Sequence, residues 1–159
     1  MNDNDEARMT NDEIMTKSKD RNGHAEESFW NESKEVVREE PETKRVYDLE
    51  ERTALFGESV IDFAKAIPQN AVTNRIISQL VGAATSVGAN YVEADDAVSK
   101  PRKLSGLKNI GTCRKEARET KHFLRMIVRA VPELKPQARI LWLEAKELHL
   151  ISSKIWRNK

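Results

Sequence analysis

Apolar residues recur at helical spacing in four successive stretches of this 159-residue chain. Within each stretch they stand three, four or seven positions apart, which places their side chains on one face of an α-helix. The first stripe ends before Pro68 and consists of Leu49, Phe56, Val60, Phe63 and Ile67. Three more helices are predicted from about Ala71 to Ala97, from Leu104 to Val131 and from Pro136 to Trp156. Because short turns join these stretches, we predict an all-α, up-down-up-down antiparallel four-helix bundle over residues 46–159.

The composition agrees with this fold class and limits the cellular setting. Aromatic residues make up 6% of the chain and charged residues 33%, and five prolines and six glycines are too few for an all-β fold with many turns. No apolar run approaches the roughly 20 residues that cross a bilayer, and the acidic start of the chain lacks an apolar signal region. A single cysteine, Cys113, excludes an internal disulfide. We therefore expect a cytoplasmic protein that does not associate with membranes.

The first 45 residues differ from the rest of the chain. They are rich in charge, poor in apolar residues and without sustained periodicity, so a disordered N-terminal tail is predicted for residues 1–45. The exception is a short apolar group around Phe29 and Trp30, followed by Val36 and Val37. It is either a stray aromatic pair in a solvated tail or a short helix that docks on a partner or on the chain itself.

The second predicted helix places polar and very small residues where a simple core would be apolar. Its apolar face consists of Ile76, Leu80, Ala83, Val87 and Ala94. Gln79 and Asn90 fall on the same face, and a buried amide is costly unless it is hydrogen-bonded. Gly82 and Gly88 each cost up to about 1 kcal/mol relative to alanine in a helix. We therefore expect close packing of a neighbouring helix at the glycines.

Polar side chains on three of the predicted helices suit a hydrogen-bonded network that sets how the helices pack. A buried network of this kind can fix the register of a bundle. The residues predicted to form it are Arg52, Gln79, Asn90, Glu93, Glu116 and Glu119.

Several spaced blocks of residues, in order along the chain, resemble the 23S rRNA-intervening-sequence protein family of small bacterial four-helix bundles. The resemblance covers about Tyr47 to Lys159. The blocks are Leu49-Glu50-Glu51-Arg52-Thr53 with Phe56, then Gln79-Leu80 with residues 84–91 and Glu93-Ala94, and finally Ile110-Gly111, Cys113, residues 115–120 and Phe123-Leu124. The chain departs from the family between the second and third helices, where Pro101, Arg102 and Lys103 follow Ser99 and the connection is longer.

The resemblance implies a left-handed bundle that assembles into a ring, typically a pentamer, and that has no established enzymatic activity. The chain is also similar to the accessory variability determinants of diversity-generating retroelements. That similarity implies RNA or DNA and a reverse-transcriptase-like protein as partners. One fold hosts many functions, so these partners are expectations by analogy.

A row of basic residues is the strongest functional feature that the residues themselves show. Residues 98–159 carry 16 basic and 5 acidic residues, a net charge of +11, whereas residues 1–46 carry a net charge of −5. The row runs along one side of the third predicted helix at spacings of four, three, four and four, and two lysines extend it toward the start of that helix. Its members are Arg114, Arg118, Lys121, Arg125 and Arg129, with Lys103 and Lys108. Such a row can follow a phosphate backbone. It can equally be a solvated face, or pair with acids such as Glu50, Glu51 and Glu58 of a neighbouring subunit.

The core stripe of the fourth predicted helix consists of Leu141, Ala145, Leu148 and Ile155. Trp142, His149 and Trp156 form a second line on this helix, and Leu143 and Leu150 form a third. A helix that is apolar on several sides is usually buried on several sides. We therefore predict self-association, with Trp142, His149 and Trp156 at the interface between subunits. Base stacking on Trp142 and Trp156 is the alternative role for these rings.

No enzymatic site is predicted. Glu119 and His122 match one Glu-x-x-His unit of di-iron bundles, but the second copy and the further carboxylates are missing, so no metal is expected. Cys113 lies on the core face of its helix without a histidine and acid beside it, which indicates an inert thiol. The glycines follow neither the Walker spacing nor the spacing of dinucleotide-binding motifs, so no cofactor is expected.

Overall fold

The structure is a computed structural model that describes residues 26–31, 48–98 and 103–158. The described residues contain helices and no strand. Helix α1 comprises residues 26–31. The other four helices are α2 (Leu49–Lys65), α3 (Ala71–Val98), α4 (Lys103–Ala130) and α5 (Lys135–Arg157), and a 3₁₀ turn at Pro132–Leu134 precedes α5.

Helix α1 belongs to an N-terminal unit separate from the bundle. Its Phe29 and Trp30 rings meet edge to face, with centroids 5.1 Å apart, and Trp30 is buried. The aromatic pair is therefore helical, as one of the two sequence interpretations allowed. The rest of the tail for which disorder was predicted lies outside the described residues.

Helix α2 begins at a carboxylate cap. The side chain of Asp48 accepts hydrogen bonds from the backbone N–H groups of Glu50 (3.0 Å) and Glu51 (3.4 Å). These two acids stand in the first turn, where the helix dipole favours negative charge. Lys65 stands in the last turn, where the dipole favours positive charge. Pro68 prevents the helix from continuing further.

The turn between α2 and α3 is held by two side chains. Asn70 Oδ1 accepts hydrogen bonds from the N–H groups of Val72 (2.9 Å) and Thr73 (3.0 Å). The hydroxyl of Thr73 accepts from Asn70 N–H (2.9 Å) and donates to the carbonyl of Pro68 (2.6 Å), which satisfies this buried side chain. These bonds fix the angle at which α3 leaves α2.

The four long helices pack as a closed bundle. Helix α3 packs against α2 and α4, α4 packs against α5, and α5 returns to α2. The largest side chains at the centre are almost fully buried: Val60, Leu80, Val87, Leu124, Ile127 and Leu148. The predicted four-helix bundle is confirmed, and each predicted helix end lies within about two residues of the observed one.

Helices α3 and α4 extend beyond the other two helices at one end of the bundle. Thr53 of α2 lies opposite Gly88, since a Cβ at Gly88 would be 3.5 Å from the Thr53 carbonyl oxygen, so α2 begins near Val92. Helix α3 continues for about 9 Å past this point. Asn109 of α4 donates a hydrogen bond to Glu93 there (3.3 Å). The extension is a two-helix arm of residues 93–98 and 103–109.

Two expectations for α3 were wrong. Gln79 is exposed within the chain, because it lies about 100° around the helix from the buried Leu80. Gly82 is exposed too, and no described atom lies within 4 Å of the position where its Cβ would stand. The expected packing does occur at Gly88, beside Thr53 of α2. A closer approach occurs at Gly106 of α4, where a Cβ would be 3.2 Å from the Ala94 carbonyl oxygen. None of the helices in the described ranges is long and apolar enough to cross a membrane.

Candidate nucleic-acid interface

The basic row lies along the side of α4 that borders α5. Arg118 and Arg129 are exposed, while Arg114, Lys121 and Arg125 are half-buried. Lys108 is exposed earlier on the same helix, and the side chain of Lys103 lies outside the described residues. The structure therefore keeps the five central members of the row together on one helix face, as their spacing predicted.

Two members of the row stack on tryptophans of α5. The Lys121 Nζ atom lies 4.8 Å from the centre of the Trp142 ring. The Arg114 Cζ atom lies 4.5 Å from the centre of the Trp156 ring. Lys146 of α5 also lies over Trp142, at 5.7 Å. Cations at these distances are attracted to the ring face, so the border between α4 and α5 is lined by alternating cations and indoles.

His149 lies between the two stacked pairs. Its Nδ1–H donates a hydrogen bond of 3.0 Å to the backbone carbonyl of Arg114. Burial lowers the pKa of His149, and the positive charges of Lys121, Arg114 and Arg118 lower it further, against the opposing effect of the hydrogen bond. Burial and the neighbouring cations thus both disfavour a proton on this imidazole.

The two tryptophans differ in exposure. Trp142 is 2% exposed and is covered within its own chain, whereas Trp156 is 41% exposed. Both expected roles for these rings, subunit contact and base stacking, need an accessible surface. In this chain only Trp156 of the two has one. The predicted interface between subunits at Trp142, His149 and Trp156 stays a prediction.

The residues of the predicted polar network occupy several separate places. The guanidinium of Arg52 pairs with Glu144 of α5, at 2.6 Å from Nε to Oε1 and 2.9 Å from Nη2 to Oε2. Asn90 donates to the carbonyl of Ser86 in its own helix, at 2.8 Å. Glu93 accepts from Asn109, as described above for the arm.

The two acids of α4 stay close to their own helix. Glu119 lies 3.5 Å from Lys115, one turn earlier. Burial raises the pKa of Glu116, and the nearby charge of Glu119 raises it further.

The described contacts thus join α2 to α5 through Glu144, a residue outside the predicted network. Its position between Leu141 and Leu148, which are one turn away on either side, is the signal that places it beside the core.

Cys113 is a buried thiol. It is 1% exposed, and its Sγ–H donates to the carbonyl of Val87 at 3.3 Å. Burial raises the pKa of the thiol to about 12. Since only the thiolate is a good nucleophile, this residue is unsuited to catalysis near neutral pH. Within the described parts of the chain, no three His, Cys, Asp or Glu residues stand together as a metal site.

A shallow apolar cavity of about 370 Å³ lies elsewhere, between the second half of α2 and the start of α5. Phe63, Leu141 and Ile140 contribute its apolar wall, and Asp62 stands at its side. Ile140 is 70% exposed. The cavity lies away from the basic row and offers surface for an apolar partner.

Comparison with known proteins gives one informative likeness. No protein-family model and no curated protein matches the chain. The structure is similar to the crystal structure, at 1.70 Å resolution, of a protein of unknown function from the S23 ribosomal protein family of Bacteroides thetaiotaomicron. The TM-score is 0.58 at 18% identity, over 68% of this chain and 97% of the other. The two chains share a fold. This likeness supports the family-level fold that the sequence resemblance implied.

Proposed function

We propose that this protein is a non-enzymatic four-helix-bundle adaptor that binds RNA or another nucleic acid through the basic row of α4. The observation that carries the proposal is the border of α4 and α5, where Arg114 and Lys121 lie over the rings of Trp156 and Trp142. Arg118 is exposed between them on α4. Like charges one turn apart on a helix repel one another, and a polyanion bound along the row would offset that repulsion. Phosphates bound along the row would release counterions, so affinity should fall steeply with salt.

The resemblance and the shared fold support further parts of the same proposal. We infer membership of the 23S rRNA-intervening-sequence protein family, a homo-oligomeric ring that is pentameric by resemblance, and a cytoplasmic location. A reverse-transcriptase-like protein is the proposed protein partner, by similarity to the accessory variability determinants. Each of these rests on analogy of sequence and fold, whereas the nucleic-acid interface rests on the geometry of α4.

Charge reversal tests the proposed interface. Labelled RNA is titrated with the full chain at low and at moderate salt, and the experiment is repeated with Arg118→Glu. We expect the variant to bind more weakly and to show a smaller salt dependence, by about 0.7 to 0.9 in the slope of log K against log salt for each lost phosphate contact. Lys65→Glu is the matched control, because it makes the same change of charge at an exposed site outside the basic row. Lys65 lies on α2, which packs against α3 and α5. Absence of binding at low salt, or equal effects of the two variants, would refute the proposal.

A second candidate function is assembly alone. Leu143 and Leu150 are 45% and 51% exposed on α5 and stand two turns apart on one face. An exposed apolar face of this kind suits contact with another subunit or protein. Light scattering of wild type and of the double variant Leu143→Lys with Leu150→Lys measures this contact. A lower mass for the variant, together with no RNA binding by wild type at low salt, would favour assembly over nucleic-acid binding.

A further inference from the structure

The last turn of α5 places an exposed indole beside the basic row. Trp156 is 41% exposed, although the ring is held on α4 in two ways. The Arg114 guanidinium lies over it at 4.5 Å. The Nε1 and Cδ1 edge lies against Gly111, where a Cβ would be 3.6 Å from Nε1. The ring is therefore positioned by α4 while part of its surface stays accessible.

Trp142 shows what the same stacking looks like when it serves the core. That ring is 2% exposed and lies beneath Lys121 and Lys146. The ring fills space between α4 and α5, so packing accounts for its position. Trp156 lies about four turns further along the same line of α5. Because it is 41% exposed, core packing does not account for its accessible surface.

The charges around Trp156 favour an anionic partner over an apolar one. An apolar surface laid on this ring would remove water from Arg114 without pairing its charge, and burying an unpaired charge is strongly unfavourable. Arg118 is exposed one turn away on α4, and Arg157 is exposed next to Trp156 on α5. A phosphate would pair with these groups while a flat ring attached to it covered the indole.

We propose that Trp156 is a base-stacking platform, so that the interface takes single-stranded RNA or DNA in preference to a duplex. This inference rests on the proposed nucleic-acid function and names the form of nucleic acid that it prefers. An unpaired base can lay its face on the indole while Arg114 and Arg118 hold the flanking phosphates. In a duplex the faces of the bases are covered by their neighbours in the stack, so only the phosphates would be bound.

The test compares three labelled ligands: a short single strand, the duplex that it forms with its complement, and an abasic strand with the same backbone. We expect Trp156→Ala to weaken binding of the single strand about 5- to 150-fold, the range for loss of one stacked base. Binding of the duplex and of the abasic strand should change little. Trp156→Phe should retain most of the affinity, since it keeps an aromatic face.

Leu150→Ala is the control, because it also shortens an exposed apolar side chain of α5 and should leave all three ligands unaffected. Equal losses for all three ligands with Trp156→Ala, or no loss for the single strand, would overturn the stacking platform while RNA binding itself stood. A change in the mass of Trp156→Ala by light scattering would assign the ring to assembly and also overturn it. If the wild type bound none of the ligands at low salt, the proposed function would fail as well.

Discussion

Arg52 and Glu144 form a two-point ion pair between the first and last helices of the bundle, although they are 92 residues apart in the chain. Their side chains are 26% and 33% exposed. The hydrogen bond to Glu144 raises the pKa of Arg52. A guanidinium that meets a carboxylate at both oxygens fixes orientation as well as distance. The pair therefore sets how α2 lies on α5.

Removal of either partner should destabilise the bundle. We expect Arg52→Ala and Glu144→Gln each to lower the free energy of unfolding by about 1 kcal/mol, because each leaves a half-buried charge without its partner. A double-mutant cycle in urea denaturation should give a coupling energy of about 1 kcal/mol. The exposed pair of Asp62 and Lys65, with side chains 74% and 72% exposed, provides the control cycle and should give only a few tenths of a kcal/mol. Equal coupling in both cycles would contradict the role assigned to Arg52.

Two glycines of the bundle should respond differently to alanine. Gly82→Ala should raise the free energy of unfolding by about 1 kcal/mol, because alanine favours the helix and the site is open. Gly106→Ala should gain less or lose stability, since its Cβ would meet the Ala94 carbonyl and the Ala97 methyl at 3.2 Å. Thermal and urea unfolding measure both variants. A larger gain at Gly106 than at Gly82 would show that α3 and α4 separate there easily.

The helices could be predicted from the sequence because local signals mark their ends. Pro68 and Pro136 delimit helices, and the apolar period identifies the inner face of α4 almost completely. The core stripe predicted for α5 is buried at three of its four positions, which are Leu141, Ala145 and Leu148. Spacing did not decide what the other apolar sides of this helix do. Three of its sides are apolar, and only packing against α4 reveals that Trp142 is buried while Trp156 is exposed.

The candidate site shows the same limit. Spacing within one helix predicts that Arg114 and Lys121 share a face, and the structure places them so. Spacing cannot tell which residue of another helix will meet a given side chain. The pairing of Arg52 with Glu144 depends on the order and register of four helices, which no single stretch of sequence contains.

The stability of the fold should depend on pH through His149. Its pKa in the folded state lies below the ordinary value of 6.5, because of burial and the nearby cations. Above pH 6.5 the imidazole is neutral in both the folded and the unfolded state, and its full contribution to the free energy of unfolding is present. As the pH falls below 6.5, the unfolded chain takes up the proton first, so stability should fall until the pH passes the folded-state pKa.

Urea denaturation across this pH range measures the effect. His149→Asn, which keeps a hydrogen-bond donor, should show a flatter profile than wild type between pH 7 and pH 5. His122→Asn is the matched control, because His122 is exposed on α4, and its profile should follow wild type. A wild-type profile that rises as the pH falls would mean that His149 is more easily protonated in the folded state.

The thiol of Cys113 should be protected from reagents in solution. With a pKa of about 12 and 1% exposure, it is a neutral and covered thiol at pH 8. We expect a disulfide reagent to modify the native protein orders of magnitude more slowly than the urea-unfolded chain, at a rate set by opening of the bundle. Rapid modification of the native protein would place the sulfur at an accessible surface instead.

The arm formed by residues 93–98 and 103–109 gives the bundle two levels of local stability. Among the described residues of the bundle, each of its two helices packs there against the other, because α2 begins and α5 ends before this level. Segments with fewer packed neighbours open with smaller free energies than the core. Amide hydrogens of the arm should therefore exchange through local openings. Those around the buried Leu80 and Leu124 should exchange only when the whole domain unfolds. The close packing of Gly106 against Ala94 and Ala97 is then the contact that opposes opening of the arm.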